Sequence, residues 1–401
     1  MSLSSRGFGS AMIITGTSVG AGMLAIPATV AACGFWLASI LLLVVWFVML
    51  LSALLLVEVN LSMDSGSNFT TMAMKTLGRP AKLLTWLSYL LLLYSLTAAY
   101  TSGGGGLISS GLAALGFHPP IIICDIIFIC IFGSAIYAGT FIVDQANKFL
   151  MLLKFLAFFA FVIAILPNLK LEFINGVGSR ISYMWITFPI LITSFSYHHI
   201  IPTLRIYTDS DKKTLHKAIF IGSVIPLFIY MLWILSTLGS IPLFGESSFH
   251  SILQSGDISS GIVSSYHSYL VGKFAYIFEA IAVTTSFLGV TLGLYHFNLD
   301  AYKLSSKKHG GRCIGFLITF IPALIYVICY PKGFIIALGY ASFFCAILLI
   351  ALPAAMAWSV RSKLGINNHR SKLYLSIMFG LAIFVMGLEI CTLLGILPKL
   401  T

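Results

Sequence analysis

The sequence predicts an all-α polytopic membrane protein, and three observations carry that expectation. Hydrophobic residues make up 59% of the 401-residue chain and charged residues 9%, where a soluble globule has about a quarter of its residues charged. The mean hydropathy is +1.02. Stretches long enough to cross ~30 Å of hydrocarbon recur at roughly 8–33, 34–62, 82–113, 120–139, 145–167, 184–207, 216–241, 269–302, 312–330, 333–357 and 373–397, which predicts eleven transmembrane helices.

Charge orients the chain. With the N-terminus placed in the cytoplasm, seventeen of the 23 Lys and Arg residues fall in loops and flanks on that side. Five fall on the other (Lys170, Arg180, Lys273, Lys332 and Lys399), and Lys154 lies inside a helix. This positive-inside bias accounts for the net charge of +11 without nucleic acid and puts the C-terminus outside. The first segment is too long for a removable signal peptide and lacks a convincing cleavage site. No soluble domain is appended.

Taken in order, the first segment carries Thr15-Gly16-Thr17-Ser18-Val19-Gly20-Ala21-Gly22-Met23 at its centre. Three glycines in nine positions make a poor helix interior, each costing about 0.8–1 kcal/mol against Ala. Backbone that leaves the helix at membrane depth must be buried in protein or line a polar cavity. The N-terminus of the following half-helix then offers free N–H groups to a carboxylate. The competing reading is close packing of a small-residue face through Gly16, Gly20 and Ala21/Gly22.

In the second segment, Glu58 lies near the cytoplasmic end and reads as a tie between helices. The third contains Gly103-Gly104-Gly105-Gly106, flanked by Tyr94 and Tyr100; a turn without side chains either admits a ring or permits close helix approach. The fifth carries Lys154, some 10–15 Å from the membrane surface at ~1.5 Å per residue, too deep for easy snorkelling. A desolvated lysine shifts its pKa readily, as a proton-coupling group must. Its alternative is a permanently paired structural lysine, with Glu279 or Glu58 as candidate partner.

The sixth segment gathers Thr193, Ser194, Phe195, Ser196, Tyr197, His198 and His199 at its centre, between Pro189 and Pro202. It follows the first by an odd number of crossings, so the two interruptions run in opposite directions. An inverted repeat of five helices each requires that, and paired interruptions mark a transporter's substrate site. The division is 1–167 for the first repeat, 168–357 for the inverted second and 358–401 for one extra helix. A proline-kinked helix with satisfied polar groups is the plainer reading of the sixth segment.

In the eighth segment, Thr284-Thr285-Ser286 offers hydroxyls that, with the Val19 carbonyl, suit a sodium ion, although Ser and Thr also bond to their own preceding turn. The seven cysteines show no metal-ligand spacing and read as small apolar packers. No metal or cofactor is expected. The sequence has no P-loop, nucleophile elbow or HExxH motif, which argues against an enzyme.

Several of these stretches together resemble the bacterial aromatic amino acid permeases, the tyrosine-transporting members in particular. They are Gly16–Leu24, Leu96-Thr97-Ala98-Ala99-Tyr100, Thr193-Ser194-Phe195, Thr285–Val290 with Leu292-Gly293-Leu294, and Tyr330-Pro331-Lys332-Gly333-Phe334 with Ala337–Ala341. The resemblance covers essentially the whole chain. It implies the inverted repeat of the amino acid-polyamine-organocation superfamily, the LeuT-like fold, plus one helix. It further implies proton-coupled import of an aromatic amino acid across the bacterial inner membrane, by a monomer in contact with lipid. In proton-coupled relatives a lysine of the fifth helix stands where others hold sodium, and Lys154 matches it.

The expected substrate site is Gly16, Thr17, Ser18, Gly20, Ala21, Gly22, Tyr100, Thr193, Ser194, Phe195, Ser196, Tyr197 and His198, with Lys154 and Glu279 for the proton. L-Tyrosine is the first expectation. Ser196-Tyr197-His198-His199 is bulkier than the family's glycine-rich turn around one histidine, so tryptophan and phenylalanine stay open. Sodium coupling through Thr284–Ser286 stays open as well, as does a receptor or channel that transports nothing.

Overall fold

A computed structural model describes residues 3–175, 181–255, 262, 265–266, 268–304, 309–331 and 333–397. Arg180, Lys307, Lys308, Lys332 and Lys399, which entered the charge count, lie outside the described residues. All regular structure among those residues is helical. In chain order the helices are α1 (Leu3–Ser18), α2 (Ala25–Val30), α3 (Gly34–Leu61), α4 (Phe69–Leu77), α5 (Arg79–Ala113), α6 (Ile121–Ala138), α7 (Thr140–Ile165), α8 (Leu171–Asn175), α9 (Met184–Ser194), α10 (Ile201–Tyr207), α11 (Lys212–Leu238), α12 (Phe249–Ser255), α13 (Tyr269–Ala301), α14 (His309–Cys329), α15 (Phe334–Cys345), α16 (Leu352–Lys363) and α17 (His369–Leu393).

Among the described residues, nine helical stretches are long and apolar enough to cross a membrane. The first, Gly22–Leu61, is divided at Gly34, whose φ of +75° suits a residue without a Cβ. The expected first and sixth spans contribute no continuous helix of that length, because each is broken: α1 stops at Ser18 before a 3₁₀ turn at Ala21–Leu24 and α2, and α9 stops at Ser194 before a 3₁₀ turn at His198–Ile200 and α10.

Asn68, Asp211 and Asn368 cap α4, α11 and α17, accepting from the amides of Thr71, Thr214 and Ser371 at 2.9, 2.8 and 2.9 Å. Alternate joins lie at opposite ends of the bundle. At one end Arg6 pairs with Asp209, Lys75 with Asp64 at 2.5 Å, and Arg361 grips both oxygens of Glu58 at 2.7 and 2.5 Å. Arg205 donates to the carbonyl of Asn60 there, and Arg312 to that of Tyr137. This end is the basic face. Glu58 thereby ties α3 to α16.

Three of the chain's prolines leave the carbonyl four residues earlier without a helical N–H, and a hydroxyl from another helix reaches it. Pro226 frees Gly222, which accepts from Thr15 at 3.2 Å; Pro322 frees Ile318, which accepts from Tyr94 at 2.9 Å; Pro353 frees Leu349, which accepts from Ser52. Around Leu349 the helix between α15 and α16 widens into a π-helical turn, Ala346–Ala351. Tyr94 is therefore a packing residue.

The tetraglycine run serves close approach. A Cβ on Gly104 would lie 2.4 Å from the Phe128 ring and one on Gly105 would lie 1.9 Å from Oδ1 of Asp125, so α5 and α6 meet where side chains are missing. Cys33, Cys124 and Cys345 are buried packers, but Cys130, Cys313 and Cys329 sit on the outer surface and pack no core, a correction to the uniform reading.

Candidate functional site

The two broken helices meet at the centre of the bundle. In the first, the amide of Val19 closes the last turn of α1 on the carbonyl of Thr15 at 2.9 Å, and Gly20 is extended (φ −132°, ψ −166°). Any residue tolerates that conformation; a Cβ there would lie 2.5 Å from Oγ of Ser286 on α13, whose hydroxyl would have to swing aside. The 3₁₀ turn then begins at Ala21, and its first N–H groups have no acceptor within it. In the second, Phe195 closes α9 on Ile192 at 3.1 Å and the chain passes through Ser196 and Tyr197 into the His198–Ile200 turn. The breaks face each other: Oγ of Ser194 lies 3.4 Å from the carbonyl oxygen of Gly22.

Two side chains from other helices hold these breaks. The hydroxyl of Tyr230, on α11, lies 2.6 Å from the carbonyl oxygen of Ser18 and 2.7 Å from that of Ser194. Lys154, on α7 and 1% exposed, donates to the carbonyl oxygen of Val19. α7 packs along α13, with Phe158 against Phe278 at 5.2 Å between centroids. Glu279, next to Phe278 in α13, is fully buried.

A cavity of about 380 Å³ opens between the breaks, within the ~300–1,000 Å³ typical of small-molecule sites. Gly16, Thr17, Ser18, Gly20 and Gly22 line it from the first break, and Thr193, Ser194, Ser196 and His199 from the second. Tyr89, Leu93, Leu96 and Tyr100 of α5 supply an apolar and aromatic wall, Thr285, Ser286, Gly289 and Gly293 of α13 a polar and side-chain-poor one, and Leu348 and Leu349 of the π-helical turn a third. Phe69, Asn147 and Met151 extend it toward the basic face.

Most of the expected residues converge here, and some do not. Phe195, Tyr197 and His198 are fully buried behind the second break, with the His198 ring stacked on Tyr197 at 5.0 Å, so His198 does not face the cavity. Its neighbour His199 does, with Nδ1 3.2 Å from the carbonyl oxygen of Ser196. In a 3₁₀ turn successive residues are ~120° apart, so one histidine of an adjacent pair faces inward and the other away. Thr284 is buried outside the cavity, while Thr285 lines it with its hydroxyl bonded to the Ala282 carbonyl at 3.1 Å. Of Ala21 the backbone alone is described, as the start of the 3₁₀ turn. Sequence reasoning missed Tyr230, Tyr89 and the π-helical turn. Pro353 was a signal for the last; nothing in the sequence marks Tyr230 among other helical tyrosines.

A cavity between two helix breaks within a bundle of membrane-length helices defines the class: a multi-pass membrane protein with a central cavity. The family profile of the tryptophan/tyrosine permeases matches residues 4–394, and the chain belongs to that family. Tyrosine-specific transport system 2 of Haemophilus influenzae is 35% identical over 369 residues, covering 90% of this chain and 89% of that protein. The tryptophan-specific transport protein of the same organism is 33% identical over 371 residues, 88% of each. The low affinity tryptophan permease of Escherichia coli is 32% identical over 372 residues, 89% of this chain and 88% of that one. These relatives are transport proteins, not enzymes.

Proposed function

We propose that this permease imports an aromatic amino acid, L-tyrosine first, by proton symport across the bacterial inner membrane. The observation that carries the reading is the meeting of the two breaks around the cavity, with Lys154 bonded to the carbonyl at the edge of one of them. The N–H groups at Ala21 and Gly22 take the substrate carboxylate, and carbonyls of the second break take the ammonium. The ring lies against Tyr89, Leu93, Leu96 and Tyr100, with His199 and Ser196 placed for a phenol hydroxyl.

The proposal includes eleven crossings, α1 with α2 and α9 with α10 each counting as one, arranged as two inverted five-helix repeats and an extra helix. The basic face is cytoplasmic, and the chain works as a monomer. Lys154 carries the coupled proton: charged, it holds α7 to the first break, and deprotonation toward the cytoplasm removes a buried charge and loosens that contact.

The second reading is a tryptophan permease, favoured by the near-equal identity to relatives of either specificity. Counterflow in proteoliposomes, scanning the twenty amino acids under imposed proton or sodium gradients, tests both. Uptake driven by sodium alone would move the coupling to Val19, Thr285 and Ser286.

A further inference from the structure

α7 lines the cavity with Asn147 and, one turn on, Met151. The end of the Met151 side chain rests in a notch on α1: a Cβ on Gly16 would stand 2.5 Å from its Cε and 3.0 Å from its Sδ, and Gly16 lines the same cavity. Glycine inside a helix costs about 0.8–1 kcal/mol against alanine, and here the missing methyl is what seats the thioether. A methyl at Gly16 would drive that flexible end out of its seat, and the free space it already borders is the cavity. α13 packs against both α5 and α7. Among the described residues, a Cβ on Gly289 or Gly293 of α13 would meet open space, although both glycines line the cavity. Counted from the helix ends at the basic face, Arg79, Thr140 and Ala301, the residues Tyr89, Met151, Gly289 and Gly293 all stand roughly 12–18 Å deep at ~1.5 Å per residue. They outline a slot, with Tyr89 on one side, Met151 on the other and bare backbone between.

We propose that Met151 is a specificity-determining residue that sets the largest ring the cavity takes. Seated in the Gly16 notch, its thioether leaves the slot open to a bicyclic ring as well as to a phenyl; out of the notch, it fills the space a second ring needs. The inference rests on the proposed reading of the cavity as an aromatic amino acid site and adds to it the residue that measures the ring. Methionine suits this place because its unbranched, polarizable chain fills irregular gaps and makes favourable contacts with aromatic edges. Lys154, three residues on, turns instead to the Val19 carbonyl, so ring size and the buried charge are handled by separate side chains of α7.

The test is equilibrium binding of L-phenylalanine, L-tryptophan and L-naphthylalanine to the full chain in nanodiscs, three ligands that share their backbone groups and differ in ring size. Met151→Ala should shift the affinity ratio toward the two bicyclic ligands by roughly tenfold, the scale on which an apolar pocket discriminates size. Met151→Leu, of similar volume, should leave the ratio near that of wild type. Gly16→Ala should shift it the other way, toward phenylalanine, and in the double variant Gly16→Ala/Met151→Ala that shift should vanish because no thioether is left to displace. Equal losses for all three ligands in Met151→Ala would make Met151 merely structural and overturn the proposal. If the wild type binds none of the three, the reading of the cavity as an aromatic amino acid site fails, and the inference with it. Should Gly16→Ala not insert, the two Met151 variants decide alone: a ratio moved by alanine and kept by leucine supports the proposal, and any other pattern overturns it.

Discussion

The side chain of Lys154 reaches from α7 to the carbonyl oxygen of Val19, the residue that follows the last turn of α1. A buried ammonium on a broken helix end joins a titratable charge to the backbone that lines the cavity. It sits beside the cavity rather than in it, since neither Lys154 nor Val19 contributes to the lining. That separation between touching substrate and holding its frame sets the first prediction.

Lys154→Ala is expected to lose accumulation driven by a pH gradient while substrate binding largely survives. Lys154→Arg should lose it too, because arginine does not deprotonate in proteins. The measurement is uptake into proteoliposomes with an inward proton gradient, read beside equilibrium binding. Concentrative proton-driven uptake by Lys154→Ala would sink the coupling role.

Gly20→Val should abolish substrate binding in a protein that still inserts. Its Cβ would lie 2.5 Å from Oγ of Ser286, so that hydroxyl must swing aside and the two valine methyls must find room between the break and α13, at an overpacking cost of about 1–3 kcal/mol. Gly22→Ala offers the contrast, for its Cβ would rest at an ordinary 3.6 Å from Oγ of Ser194. A second-site change, Ser286→Gly, should recover part of the binding lost in Gly20→Ala. Full affinity in well-expressed Gly20→Val would place the site elsewhere.

Selectivity should follow His199 rather than His198. If His199 pairs with the phenol hydroxyl, His199→Ala should cut the preference for tyrosine over phenylalanine by roughly tenfold, the worth of one such bond. His198→Ala, whose ring is fully buried against Tyr197, should lower thermal stability and leave the preference alone. Competition of labelled tyrosine uptake by phenylalanine decides it, and a wild type that takes up both equally removes the claim.

Gly105→Leu should prevent normal assembly. Its Cβ alone would stand 1.9 Å from Oδ1 of Asp125 and 3.0 Å from that residue's backbone nitrogen, and overpacking at a helix crossing costs about 1–3 kcal/mol or more. Melting of the detergent-solubilised protein is the readout, and a melting temperature equal to that of wild type would contradict the close α5–α6 approach.

What the sequence determined by itself is everything that depends on the composition of one segment. The membrane class follows from uninterrupted apolar runs, and the alternation of ends from the basic joins. The interruption within Thr15–Met23 is one of two readings that three glycines among hydroxyls offer, and the chain leaves α1 after Ser18; the depth of Lys154 comes from counting residues along α7. Tertiary structure decided which group faces which. The freed carbonyls of Ser194, Gly222, Ile318 and Leu349 are met by Tyr230, Thr15, Tyr94 and Ser52. Three of those donors lie more than 200 residues away along the chain. A hydrogen bond is decided within a few tenths of an ångström by how two helices cross, and no periodicity within one helix records its partner on another. For the same reason a one-residue difference, His198 or His199, was invisible until the 3₁₀ turn assigned one ring to the core and the other to the cavity.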